Sequence, residues 1–186
     1  MSTAHVFGAA TVVAGVDANA PGYDLVLLAH VLTAVVGLVA VGIAGGCALA
    51  LRRALVTGGP VPEALARYYR PGINWAGRVL FLVPVLGIAL LAMSGGQWSF
   101  ADGWVSMGMA VWAAVAIAAE SVLWPAERRL QEVVAARGTG DGQDPGPVDG
   151  AGGLHEVTGL CLRTGAMGLA LAAALVVVAV VMVAKP

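Results

Sequence analysis

Charge is what this sequence has least of. Only 11% of its 186 residues are Asp, Glu, Lys or Arg, against roughly a quarter in soluble proteins, and a water-soluble fold of this size has no means of covering itself with so few. Ten Lys+Arg stand against eleven Asp+Glu, a formal net charge of −1, so there is no basic footprint for a nucleic acid. Two cysteines in a chain this long cannot make a disulfide framework. Also missing are the P-loop, the GxSxG and HExxH patterns, the dinucleotide fingerprint and any CxxC. The sequence therefore offers no signature of nucleotide, hydrolase or thiol-redox chemistry.

What is present is apolar: 59% of residues are hydrophobic and the mean hydropathy is +0.87. Four stretches, about 24–51, 72–94, 103–124 and 159–184, are each long enough to cross a bilayer, which takes about 20 helical residues. Lipid offers backbone amides no partner, so these stretches are expected to be helices. The fold expected is all-α, a polytopic four-transmembrane-helix bundle occupying residues 24–186. Residues 1–23 read as a retained external segment: Ala4–Val16 imitates the apolar core of a signal peptide, but no Lys or Arg precedes it and Pro21 follows the would-be cleavage box. Residues 137–153, rich in Gly, Asp and Pro without an apolar period, read as a flexible loop.

Positive charge sets the orientation. Arg52, Arg53, Arg67, Arg70 and Arg78 lie in or beside the first loop, and Arg128, Arg129, Arg137 and Arg163 in or beside the third. Cytoplasmic loops retain Lys and Arg, so both chain ends are expected outside and loops one and three in the cytoplasm of a bacterial cell, the protein residing in its inner membrane. Trp98, Phe100 and Trp104 around the second loop suit a membrane–water boundary.

Within the helices, small residues mark expected contacts, because helices in lipid associate where backbones can approach. On the first helix the bulky stripe Leu28, Leu32, Val35, Val39 and Ile43 opposes a small one containing His30, Thr33, Gly37 and Gly45. Ala110 and Ala114 on the third helix, and Gly165 and Gly168 on the fourth, are expected to pack in the same way. Pro84 is expected to bend the second helix.

Ionisable residues inside apolar helices are functional candidates by default. Arg78, Glu120 and Arg163 all fall near the cytoplasmic helix ends, so Glu120 pairs in depth with either arginine. The pair either fixes helix register while the arginines reach the headgroups or makes Glu120 a proton-handling or partner-recognising carboxylate. His30, about 9 Å below the external surface, reads as a buried hydrogen-bonded histidine, as an axial ligand to haem b or copper, or as a residue that serves a quinone or a proton. Met93 and Met107 approach the same side. Cys47 and Cys161 are expected as free thiols.

Three runs, Tyr68-Tyr69-Arg70-Pro71, Leu82-Val83-Pro84-Val85-Leu86-Gly87 and Leu123-Trp124-Pro125-Ala126-Glu127-Arg128, together resemble a bacterial family of four-helix integral membrane proteins with no assigned activity, whose members often carry a histidine early in the first helix. The likeness covers about residues 24–184. A weaker likeness joins His30 and the small stripe after it to the membrane copper-resistance and protoporphyrinogen-oxidase families, and implies haem or copper at that histidine. This chain lacks their second intramembrane histidine or lysine.

The leading functional reading is an accessory or assembly partner of a larger membrane complex, or a homo-oligomer, acting through helix–helix contacts in the lipid bilayer without defined catalysis. One alternative is a haem b- or copper-binding redox protein using His30. Another is a small ion-coupled transporter gated by Glu120 with Arg78 or Arg163.

Overall fold

The structure, a computed structural model, describes residues 22–138 and 151–184. The expectations for residues 1–21 and for most of the 137–153 loop lie outside them. Among the described residues there is no strand. The helices are α1 (Tyr23–Val56), α2 (Glu63–Tyr68), α3 (Trp75–Arg78), α4 (Leu82–Met93), α5 (Gly103–Ala118), α6 (Trp124–Gly138) and α7 (Ala151–Ala184). A 3₁₀ turn, Val79–Phe81, joins α3 to α4, and a π turn, Ala119–Leu123, joins α5 to α6. Four stretches are long and apolar enough to cross a membrane: Tyr23–Val56, Trp75–Met93, Gly103–Ala136 and Gly152–Ala184.

Three of these four outrun a bilayer. At 1.5 Å per residue a 34-residue helix is about 51 Å long, against about 30 Å of hydrocarbon. The first helix continues to Val56 rather than Leu51, the third runs unbroken into α6, and the fourth begins at Ala151 rather than Gly159. The surplus lengths gather at the arginine-rich end, where they close with α2 around a core of their own: Ala48, Leu51 and Leu55 from α1, Leu65 and Tyr69 from the first loop, Leu130 and Val134 from α6, Val157 and Cys161 from α7. Hydropathy could not set these ends, because amphipathic packing and not lipid stabilises them.

A second core lies along the spans, built on Val41, Leu80, Val115, Ala119, Leu123, Trp124 and Leu171. α1 and α7 cross most closely. A Cβ on Gly168 would lie 2.8 Å from the Cα of Gly45, and one on Gly45 would lie 3.0 Å from the carbonyl oxygen of Gly165. α4 and the 3₁₀ turn rest on α1, with Leu80 of the turn against Gly37, and α5 rests on α7, with Gly108 against Met182. α4 and α5 scarcely approach each other although a short turn connects them. That turn needs Gly95 and Gly96, at φ of +62° and +87°, and is closed by an edge-on contact of Trp98 with Trp104 at 5.4 Å.

The first helix turns the bulky Leu28, Leu32, Val35, Val39 and Ile43 stripe outward, while Gly37, Val41, Ala44 and Gly45 are buried. On α5 the packing expected at Ala110 and Ala114 is not made among the described residues. Both are exposed, with Ser106 and Ile117, and the buried face is Val105, Gly108, Val115 and Ala116. The physical reason is size: turning inward the face that carries Trp112 and Val115 buries more contact area than Ala110 and Ala114 offer. Pro84 leaves the carbonyl of Leu80 without its helical donor. The chain tightens there into the 3₁₀ turn, and the indole N–H of Trp112 donates to that oxygen at 3.0 Å.

Candidate functional site: a polar seam along the third span

α5, the π turn and α6 form one continuous helix, and along it Glu120, Trp124, Glu127 and Gln131 recur at intervals of four, three and four residues. That spacing puts all four on one face, and the chain from Tyr68 to Arg78 is fastened along it. At the deep end Arg78 Nη1 donates to Glu120 Oε1 at 2.6 Å, and the guanidinium lies 4.0 Å from the Trp124 ring centroid. Gly77 makes room for that indole, since a Cβ there would sit 3.3 Å from the indole nitrogen. The π turn contains Glu120; one extra residue per turn re-aims side chains, and such turns recur at functional positions.

Seven residues beyond Glu120, about two turns, Glu127 is 5% exposed. Its Oε1 accepts from the Tyr68 hydroxyl at 2.7 Å and from Asn74 Nδ2 at 3.2 Å, and Asn74 also reaches the Tyr68 oxygen at 3.3 Å. At the shallow end Gln131 Nε2 donates to the Gly72 carbonyl at 3.4 Å. Glu127 is thus a buried carboxylate held by two neutral donors. The salt bridges among the described residues are Arg78 with Glu120 and the exposed Arg67 with Glu63. Burial, then the charge of Glu127 and the hydrogen bond to it, push the Tyr68 phenol well above its ordinary range; burial does the same to Tyr69 beneath it.

Of the charged residues singled out in the sequence, the structure therefore joins Arg78 with Glu120 and leaves Arg163 apart. Arg163 is exposed on α7, nearer the arginine-rich end than the Gly45 crossing, and makes no ion pair among the described residues. The sequence reading did not single out Tyr68, Asn74, Glu127 or Gln131 as site residues, although the Glu120/Trp124/Glu127/Gln131 spacing was there to be seen.

His30 lies toward the other end of the spans. Its Nδ1 donates to the Val83 carbonyl at 3.0 Å, and Gly87 gives its ring space, a Cβ there meeting the ring at 3.4 Å. With Nδ1 carrying the proton, Nε2 keeps its lone pair, the arrangement in which an imidazole can ligate a metal. No group of three or more His, Cys, Asp or Glu that could hold a metal ion occurs among the described residues. Cys47 and Cys161 are not joined in a disulfide.

Between the 3₁₀ turn and α5 an open groove of about 370 Å³ is lined by Phe81, Ala116, Ile117, Glu120 and Ser121. Set against models of protein families, curated proteins and solved structures, the chain matches none.

Proposed function

We propose that this chain is a multi-pass protein of a bacterial inner membrane that works as an accessory or assembly partner, or as a homo-oligomer, through lateral helix contacts. The observation that carries this reading is the outward face of α5. Ser106, Ala110 and Ala114 form a row of small residues that no other described part of the chain covers, and small residues are what lets helices close on one another in lipid. The polar seam supports it: Arg78, Tyr68, Asn74 and Gln131 are all engaged within the chain, as befits a scaffold. We take both chain ends to be external and loops one and three cytoplasmic, on the strength of the arginine distribution, and we retain the likeness to the four-helix bacterial family as part of the proposal.

The test is cross-linking in native membranes. Ala110→Cys and Ala114→Cys are expected to link to a neighbouring chain, while Val85→Cys on the exposed side of α4 is not. A protein that links at neither α5 position and leaves every mild detergent as a lone monomer would overturn the reading. The Nε2 lone pair of His30 favours one rival, a haem b or copper site; pigment absorption or stoichiometric copper in the purified protein, lost in His30→Ala, would establish it.

A further inference from the structure

We infer that the groove between the 3₁₀ turn and α5 is a binding site for one phospholipid of the ethanolamine type, with its acyl chain in the groove and its headgroup on the Arg78–Glu120 pair. The inference needs the helices to cross a bilayer but not the lateral contacts proposed for α5.

Depth orders the parts. Trp75, the first residue of the second span, is 71% exposed, and an exposed indole at the start of a span marks the headgroup level. Arg78 follows one turn deeper, and Phe81 one turn deeper again, so along this edge the surface passes from indole to ion pair to apolar groove. The groove walls are Phe81, Ala116 and Ile117, and Ile117 is 68% exposed. α4 and α5 stand too far apart to close it, so hydrocarbon has lateral access.

The mouth has the chemistry of a zwitterion's complement. Arg78 and Glu120 share one short hydrogen bond, and their side chains remain 30% and 46% exposed. A guanidinium has five N–H donors and a carboxylate about four acceptor sites, so that one bond leaves donors for a phosphate and Oε2 for an ammonium. The Trp124 ring behind the guanidinium and the adjacent π turn hold the pair in place. Ser121 has no proton to offer the phosphate, because its hydroxyl donates to the Ile117 carbonyl at 2.6 Å. A pair of zero net charge gives a net-anionic headgroup no preference. A primary ammonium, with N–H groups to donate, suits Glu120 better than a quaternary one, which has none.

The experiment is lipid retention by the purified full chain. Protein stripped of lipid is returned to nanodiscs of phosphatidylcholine, phosphatidylcholine with phosphatidylethanolamine, or phosphatidylcholine with phosphatidylglycerol, then released and weighed by native mass spectrometry. One phosphatidylethanolamine per chain is expected, favoured about tenfold over either other lipid. Glu120→Gln should erase the preference over phosphatidylcholine. Ile117→Trp, at an exposed wall that folding does not depend on, should abolish retention with the melting temperature unchanged. Equal retention of all three lipids, preference for phosphatidylglycerol, or undiminished retention in Ile117→Trp would overturn the inference. So would competition by soluble phosphoethanolamine, which would make the site one for a small molecule. Failure of the bilayer premise itself would show separately, as release of the chain from membranes by alkaline carbonate.

Discussion

At the scale of single residues the costliest group is Glu127, a carboxylate almost wholly removed from water and balanced by neutral donors. Such a group is tolerated only while its hydrogen bonds last. Tyr68→Phe removes the shorter of the two and is expected to cost about 1 to 3 kcal/mol of stability, measured as a lowered denaturant midpoint in mild detergent. Glu127→Gln should cost less than Glu127→Ala, since the amide still offers an oxygen to Tyr68 and Asn74. The two phenols, Tyr69 buried and Tyr68 half-buried, make a second prediction. An unfolded chain ionises tyrosine near pH 10, whereas Tyr68 and Tyr69 are held neutral to higher pH. Above about pH 10 the unfolded state therefore binds fewer protons than the folded one, and stability falls as pH rises. Below that pH their contribution is complete. Melting temperatures from pH 8 to 11 should fall more steeply for the natural chain than for Tyr68→Phe/Tyr69→Phe, once the lower starting stability of that variant is subtracted.

At the scale of elements, what was legible in the sequence is what lipid dictates. The four apolar stretches, and the division of the first helix into a bulky and a small face, follow from composition and period alone. The lobe at the arginine-rich end was not legible as a unit, because the residues that extend α1, α6 and α7 are chosen by packing on Leu65 and Tyr69, far away in sequence. The orientation of α5 was not legible either. Small residues lie on both its sides, and choosing between Ala110 with Ala114 and Gly108 with Ala116 requires knowing where Trp112 finds a partner for its N–H. Trp112→Phe should thus loosen α5 from the 3₁₀ turn at a cost of about 1 to 3 kcal/mol, the penalty of a stranded carbonyl. The glycines separate the crossings that matter from those that do not. Gly168→Ala forces a methyl against backbone at 2.8 Å, while Gly46→Ala meets nothing within 4 Å. The first is expected to lose about 1 to 3 kcal/mol from overpacking and the second to leave thermal stability unchanged or slightly raised, as helix propensity favours Ala.

At the scale of the whole molecule two regions with different surfaces share the same long helices. The spans display their large aliphatic residues, with Leu28, Val39, Val85 and Val180 each about half exposed or more, while the lobe buries its own and displays Arg53, Arg70, Arg128 and Arg129. A surface that is greasy along one length and cationic along the next suits a bilayer and the water beyond its arginine-rich side. This division predicts where a polar reagent can arrive. Gly59 lies in the loop beside the lobe and Gln97 in the turn at the opposite end, and both are exposed. With the half-buried Cys47 replaced by Ala and Cys161 left in the core, Gln97→Cys should react with a membrane-impermeant maleimide on intact spheroplasts. Gly59→Cys should react only after the membrane is opened. The reverse pattern would invert the orientation and place the lobe outside, and labelling of both in closed cells would mean that the chain does not cross the membrane at all.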